Sequence, residues 1–220
     1  MQPLDRMLAE IAGEARVTGR ITGRRKFDPA VMDAVAAVPR DAFVPERLKA
    51  DAWDNRPLPI GYGQTISQPF MVALMTDLLE AGPEHRILEV GTGCGYQTAV
   101  LARLVHRVFS VEIVPDLGQD AARRLSALGF DNVTTRIGDG YQGWTEEAPF
   151  DGIIVTAAAP HVPPPLVEQL KPGARLVIPV GAPMFGQDLH VLHKDRAGKV
   201  HDRAVLAVAF VPLTGEHRRN

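Results

Sequence analysis

A glycine-rich turn between an apolar run and a helical pattern is the strongest chemical signal in the sequence. The segment Arg86-Ile-Leu-Glu-Val-Gly-Thr-Gly-Cys-Gly-Tyr-Gln predicts a buried strand, a turn and the start of a helix. Glycine has no Cβ, so the backbone of such a turn can approach a ligand closely. A second apolar run, 108–111, ends in Glu112, and the carboxyl ends of neighbouring parallel strands lie side by side. The Glu112 carboxylate can therefore accept both hydroxyls of a ribose held at the turn.

The spacing of the glycines separates two cofactor classes. Dinucleotide sites use Gly-x-Gly-x-x-Gly, whose third glycine lets the helix offer its N-terminus to a pyrophosphate. Here the spacing is Gly-x-Gly-x-Gly, and the bulky Tyr96 follows at once. Glu89, beside the turn, would repel a pyrophosphate but tolerate a sulfonium and an amino group. The turn resembles the S-adenosylmethionine site of class I methyltransferases; an NAD site, or a turn that only packs strand on helix, are the alternatives. The predicted cofactor residues here are Glu89, Gly91, Thr92, Gly93, Gly95 and Glu112.

Other polar residues follow later strands of the predicted sheet. Asp139 and Gly140 come after the third strand and so face the same crevice, where they can accept from an adenine amino group. Asp139 could instead cap the next turn. Asp151, beside the fourth strand, either points into the site or caps a loop. Cys94 is predicted to be a small lining residue, because no partner that would activate a thiol stands near it.

Residues 57–69 form an unusual stretch, Pro-Leu-Pro-Ile-Gly-Tyr-Gly-Gln-Thr-Ile-Ser-Gln-Pro. Three prolines and several hydroxyl and amide side chains predict a rigid polar loop of the kind that function requires. Ser67 either caps the helix that begins near Pro69 or contacts a ligand. A nucleophilic serine needs a base beside it, and none of the seven histidines lies in a recognisable elbow motif.

Helix signals dominate the first 80 residues. An apolar stripe from Leu4 to Ile11 predicts a first helix, which we expect Gly13 to end. Asp28 is the predicted cap of a second helix, and a third begins at Pro69. Residues 1–80 should therefore form a helical cap together with the substrate loop.

Residues 81–220 alternate between strand and helix patterns. A helix led by Pro163 is expected to run through Leu170, and 188–194 and 200–211 should pair as an antiparallel hairpin. The predicted fold is a single α/β domain over residues 1–220, with a Rossmann-like, mostly parallel sheet that ends in this hairpin. The predicted parallel strands are 86–90, 108–112, 132–137, 152–155 and 174–180.

Composition limits the classes of partner. The 220 residues, 45% of them hydrophobic, can bury the core of one domain. A formal charge of −2 gives no long-range attraction to nucleic acid or to an anionic membrane. One cysteine permits no internal disulfide, and neither a signal peptide nor a membrane span is apparent. We expect a soluble, cytoplasmic monomer without bound metal.

Several segments together resemble one family, the protein-L-isoaspartate (D-aspartate) O-methyltransferases. The match covers nearly the whole chain, and its distinctive parts are the 57–69 loop and the terminal Phe-Val-Pro-Leu. The departures from the family pattern are Cys94 and Phe70, both in predicted pocket lining. The segments that carry the resemblance are Arg56-Pro-Leu-Pro-Ile-Gly-Tyr-Gly-Gln-Thr-Ile-Ser-Gln-Pro, Met71-Val-Ala, Leu88-Glu-Val-Gly-Thr-Gly-Cys-Gly-Tyr-Gln, Gly138-Asp-Gly, Ala148-Pro-Phe-Asp, Thr156-Ala-Ala-Ala-Pro and Phe210-Val-Pro-Leu.

The resemblance implies a substrate and roles for particular residues. Ser67 matches the active-site serine, Thr65 and Ile66 match positions beside the substrate, and Val211 matches backbone that borders the substrate peptide. The implied reaction transfers a methyl group from S-adenosylmethionine to the free α-carboxylate of an L-isoaspartyl residue, and the ester then returns through a succinimide to aspartyl. Methyl transfer to a small molecule or RNA, and a non-catalytic binding module, are the alternatives.

Overall fold

The computed structural model describes residues 2–182 and 185–215. Its main feature is a seven-stranded sheet in the order β5-β4-β3-β6-β7-β8-β9, in which β3 to β7 are parallel and β8 and β9 are antiparallel. The parallel part and the terminal hairpin confirm the predicted α/β class. No helix in the described residues is long and apolar enough to cross a membrane. The strands are β1 (Leu58–Gly61), β2 (Gln64–Ile66), β3 (Arg86–Val90), β4 (Arg107–Glu112), β5 (Val133–Ile137), β6 (Phe150–Val155), β7 (Leu170–Ala182), β8 (Gly186–Lys194) and β9 (Val200–Val208).

Two apolar layers cover the two faces of the sheet. Alternation along each strand divides its side chains, so that Ile87 faces one layer and Leu88 the other. The first layer also holds the N-terminal helices, which therefore share a core with the sheet. The second layer lies under residues 141–170 and contains Phe109 and Phe150. The helices are α1 (Pro3–Thr22), α2 (Pro29–Ala37), α3 (Pro69–Leu79), α4 (Tyr96–Ala102), α5 (Pro115–Ala127) and α6 (Pro164–Glu168).

Helix α1 differs from the prediction because it continues through Gly13 to Thr22. It ends at Gly23, whose φ of 76° is left-handed. A glycine inside a helix costs about 1 kcal/mol relative to alanine. Burial of Ala15 and Thr22 in the turns beyond Gly13 offsets that cost. The second helix follows the prediction: the Asp28 side chain accepts from the backbone N–H of Ala30.

Strand β7 begins earlier than expected and shortens the helix before it. Leu170 pairs with Phe150 of β6, with an irregularity before the next pair, Gly152 with Arg175. The predicted helix through Leu170 is therefore wrong, and α6 has only five residues. Pairing with β6 overrides the helical spacing of the local apolar residues.

Candidate active site

The carboxyl ends of β3, β4 and β6 open onto one cavity. Strands β4 and β5 lie on one side of β3, and the chain then crosses back to place β6 on its other side. The strand order therefore reverses between β3 and β6, which is where open α/β sheets bind ligands. The empty space is about 750 Å³, including its open mouth. The predicted site residues that line the cavity are Thr65, Ile66, Ser67, Gly91, Thr92, Gly93, Glu112, Gly140 and Val211.

The glycine turn forms the floor of this cavity. Gly91, Gly93 and Gly95 have φ values of 94°, 54° and 91°, a left-handed conformation that side chains rarely adopt. A Cβ on Gly91 would come within 2.4 Å of the Thr156 hydroxyl oxygen. That hydroxyl donates to the Gly91 carbonyl at 2.6 Å. Gly91 and Gly93 line the cavity, whereas Gly95 lies against Leu125 of α5. Without Cβ atoms on Gly91 and Gly93, the backbone can approach a ligand closely, which suits an adenosyl group.

Glu112 ties the turn to the end of β4. One carboxylate oxygen accepts from the N–H of Gly93 at 2.8 Å, and the other accepts from the N–H of Val114 at 2.9 Å. The residue is buried and lines the cavity. Each carboxylate oxygen has a second lone pair, so both remain able to accept a hydroxyl from a ligand.

Glu89 lies beneath the turn and does not line the cavity, which differs from its expected place beside the ligand. It shares the sheet face of Ile87, and the hydroxyls of Thr98 and Ser110 both donate to one of its oxygens at 2.5 Å. Burial raises the pKa of this carboxyl to about 8, although the two hydroxyl donors favour the charged form. Ser110 also contacts the Thr92 hydroxyl at 2.6 Å. Glu89 thus supports the turn from below.

The segment after β5 contributes Gly140 to the cavity wall, while Asp139 does not line the cavity. The Asp139 carboxylate accepts from the N–H of Tyr141 at 3.0 Å and so caps a short 3-10 helix, Gly140–Gln142. A Cβ on Gly215 would lie 2.4 Å from a carboxylate oxygen of Asp139, so the end of the described chain packs against this group.

Ser67 lies at the junction between the cavity and a second groove. It is half-buried, and its hydroxyl makes no hydrogen bond within the described residues. It does not cap α3, because Gln68 precedes that helix and no side chain caps it. No histidine or lysine is among the described residues that line the cavity. The arrangement suits a hydrogen-bond donor and provides no base for a nucleophile.

A hairpin that the sequence did not clearly predict carries Thr65 and Ile66. Strands β1 and β2 pair across a turn at Tyr62 and Gly63, whose φ values of 53° and 70° are both positive. The Tyr62 hydroxyl donates to Asp116 of α5 at 2.8 Å. The hairpin therefore spans the mouth of the cavity from α3 to α5.

Arg40 anchors the base of this hairpin and was missed in the sequence. Its side chain is completely buried, and its guanidinium donates to the carbonyls of Arg56 and Ser67 at 3.1 and 3.0 Å. Further donations reach Ala52 and, at 3.5 Å, Asp54. Burial lowers the pKa of Arg40, because the charged form loses hydration. A lone arginine ordinarily indicates surface, so the sequence carries no signal for this role.

The contacts of Asp151 and Cys94 indicate structural roles. Asp151 lies at the amino end of β6, where it accepts from the Arg86 N–H and pairs with Lys171 at 2.7 Å, away from the cavity. Cys94 is buried at the cavity wall, and burial raises its pKa to about 11, which keeps the thiol neutral. The described residues contain no cluster of three His, Cys, Asp or Glu side chains that could hold a metal.

The sheet, the Gly-x-Gly-x-Gly turn after β3 and the carboxylate at the end of β4 define a class I S-adenosylmethionine-dependent methyltransferase. The sequence model of the family "Protein-L-isoaspartate(D-aspartate) O-methyltransferase (PCMT)" matches residues 17–218. The chain belongs to this family, as the resemblance in the sequence predicted.

Two relatives that carry this family's name are similar in sequence along nearly the whole chain. Protein-L-isoaspartate O-methyltransferase 2 of Syntrophobacter fumaroxidans is 58% identical over 212 residues, which are 96% of this chain and 86% of the relative. Its namesake from Polaromonas sp. is 55% identical over 210 residues, 96% of this chain and all of the relative.

Solved structures show the same fold. A protein-L-isoaspartate O-methyltransferase is similar with a TM-score of 0.82 and 26% identity, covering 94% of this chain and 66% of that chain. A "beta-aspartate methyltransferase (PCMT) from Plasmodium falciparum in complex with S-adenosyl-L-homocysteine" gives a TM-score of 0.75 and 26% identity, covering 93% and 97%.

Proposed function

We propose that the protein is a repair enzyme that transfers the methyl group of S-adenosylmethionine to the free α-carboxylate of L-isoaspartyl residues in damaged proteins and peptides. The main observation behind this proposal is that the glycine turn, Glu112, Ser67 and Val211 all line one cavity. Family membership supports the same reaction, and the named relatives support it over 96% of the chain. The dinucleotide alternative is therefore rejected.

The cofactor site is built from the turn and the ends of β4 and β5. Glu112 accepts the ribose hydroxyls on its free lone pairs, and Asp139 and Gly140 border the adenine. Glu89 holds the turn through Ser110 and Thr98. The remaining backbone cradle consists of Gly91, Thr92, Gly93 and Gly95. When bound, S-adenosylmethionine supplies an electrophilic methyl group on a sulfonium.

The substrate site needs alignment and no strong base. A carboxylate with a reference pKa near 4 is already ionised at neutral pH. Ser67 donates a hydrogen bond that orients the carboxylate, while the backbone of Thr65, Ile66 and Val211 borders the peptide. Alignment of this kind supplies roughly 7 to 11 kcal/mol of a barrier. The adjacent peptide nitrogen of the substrate then attacks the methyl ester and methanol leaves, giving a succinimide without further help from the protein. Water hydrolyses the succinimide, in part to aspartyl.

The proposal extends to the setting of the enzyme. It acts in the cytoplasm as a monomer on isoaspartyl proteins, without nucleic acid or membrane. The formal charge of −2 and the single, buried Cys94 support this setting.

A matched pair of peptides tests the function. The two peptides share one sequence and differ only in an isoaspartyl or aspartyl linkage, and base-labile methyl incorporation from labelled S-adenosylmethionine is measured. The aspartyl carboxylate sits one methylene further out, so we expect kcat/KM to fall by at least about 1,000-fold, roughly 4 kcal/mol. Equal methylation of both peptides, or transfer to RNA with none to either peptide, would refute the proposal.

A further inference from the structure

A second groove adjoins the cavity and carries a single charge. Its empty space is about 1,100 Å³, including the part open to solvent. Glu14 of α1 forms one side, and residues 206–211 at the end of β9 form another. Glu14 is the only ionisable side chain among the described residues that line this groove. The residues that the groove shares with the cavity are Thr65, Ser67, Thr156 and Val211.

Glu14 is held in place by two amides beside Ser67. One of its carboxylate oxygens accepts from Asn55 at 2.9 Å and from Gln68 at 3.0 Å. Asn55 in turn accepts from the N–H of Phe70 at 2.9 Å, which fixes the pair to the start of α3. The carboxylate therefore has a defined position, hydrogen-bonded to the residue that follows the candidate active-site serine.

No cation of the protein neutralises this carboxylate within residues 2–182 and 185–215. Two arginines of the adjoining segments pair with other carboxylates: Arg6 of α1 with Glu10 and Asp54, and Arg56 with Asp51 and Asp54. Glu14 is half-buried, and most of the groove wall is apolar. Salt screens a charge in such a place less than a fully exposed one.

We infer that Glu14 is a specificity residue that selects isoaspartyl substrates with a lysine or arginine close to the damaged residue. The inference rests on the proposed function, because it places the peptide in the groove beside Ser67. The long apolar stem of either side chain would cover the groove wall while its charged head reaches Glu14. A substrate aspartate or glutamate at the same position would meet a like charge.

A peptide series tests this selection. Isoaspartyl peptides carry lysine, alanine or glutamate at one of the three positions on either side of the damaged residue, and kcat/KM is measured for each. At the best position we expect lysine to exceed alanine by at least about 5-fold and glutamate to fall below it by at least about 5-fold, about 1 kcal/mol each. Raising the salt concentration should compress both ratios.

Two variants locate the effect at Glu14. In Glu14→Gln, which keeps an acceptor for Asn55 and Gln68, both ratios should shrink to under about 2-fold. Glu10→Gln is the matched control, because Glu10 is exposed one turn earlier on α1 and is absent from the groove lining. It should retain the wild-type ratios.

The outcomes separate the inference from the function it rests on. Methylation of all the peptides without charge preference, or an unchanged preference in Glu14→Gln, overturns the role of Glu14 and leaves the proposed function intact. Methylation of none of them refutes the proposed function. If Glu14→Gln does not fold, Glu14→Ala is measured in its place, and a charge preference that persists in that variant overturns the role of Glu14.

Discussion

Replacement of Arg40 by alanine removes the buried cation that holds both ends of the hairpin segment. The guanidinium donates to four backbone carbonyls, those of Ala52, Asp54, Arg56 and Ser67. A hydrogen bond to a charged group contributes about 1.5 to 3 kcal/mol, and the orphaned carbonyls would lose a donor in a buried place. Because these bonds share one side chain, their contributions do not add fully. We expect Arg40→Ala to lower the free energy of unfolding by about 3 to 5 kcal/mol.

The assay has two parts. Urea unfolding followed by circular dichroism gives the loss of stability. Activity is then measured at a temperature where the variant is still folded. A displacement of about 1 Å at Ser67 should cost on the order of 100-fold in kcat/KM for an isoaspartyl peptide. The affinity for S-adenosylhomocysteine should change less, since Arg40 makes no hydrogen bond to the glycine turn and reaches the cavity wall only through the Tyr96 ring, whose centre is 5.7 Å from the guanidinium carbon.

Two controls sharpen the result. Arg40→Lys keeps the charge but loses the planar fork, so it should fall between wild type and Arg40→Ala. Arg47→Ala removes an exposed arginine seven residues along and should change stability by no more than about 0.5 kcal/mol. A loss below about 1 kcal/mol in Arg40→Ala would refute the anchoring argument, because the carbonyls would then have found other partners.

Three further predictions concern two residues that line the cavity and the buried carboxyl beneath the glycine turn. Glu112→Ala should weaken S-adenosylhomocysteine binding in calorimetry by about 1.5 to 3 kcal/mol, because it removes the acceptor for the ribose hydroxyls. Ser67→Ala should lower turnover only partly and leave cofactor affinity unchanged, and mass spectrometry of trapped reactions should show no covalent adduct on Ser67. Glu89 keeps its proton in the folded protein up to about pH 8, whereas the unfolded chain loses it near pH 4.5, so its contribution to stability falls as the pH rises through this window. Glu89→Gln cannot titrate, and its unfolding free energy should therefore decline less steeply there, by up to about 1.4 kcal/mol per pH unit.

Each of these has a clear contrary result. Wild-type affinity in Glu112→Ala would remove the ribose role, and a methylated or peptidyl Ser67 would replace orientation by covalent catalysis. Parallel stability curves for wild type and Glu89→Gln between pH 5 and 8 would show that the buried carboxyl does not titrate in that window.

The strands and most helices were predictable because local signals and tertiary packing agree. Residues 86–90 form a short apolar run with a glycine turn after it, and Asp28 caps a helix whose first residue is proline. The prediction failed where packing overrides the local signal. Gly13 lies inside α1 because the turns beyond it are buried, and Leu170 joins a strand because β6 offers it a partner.

The site was predictable to the extent that strand ends define it. Glu112 and Gly140 follow strands and line the cavity, and Thr156 follows β6 and could have been found by the same rule. Glu89 is two residues after Ile87 in β3, so alternation along the strand places both side chains on the same face of the sheet. This spacing could have predicted that Glu89 faces the helices and lies under the turn. Arg40 gave no signal, since its partners lie 12 to 27 residues away in sequence.

The partners of Arg40 are carbonyl oxygens, which every amino acid carries. The hold on residues 52–67 is therefore indifferent to the side chains at those positions, and the loop can change its composition without losing its attachment. The backbone carbonyls thus provide the attachment, while the side chains of Thr65 and Ser67 line the cavity, so a substitution at either residue should change the site without releasing the loop.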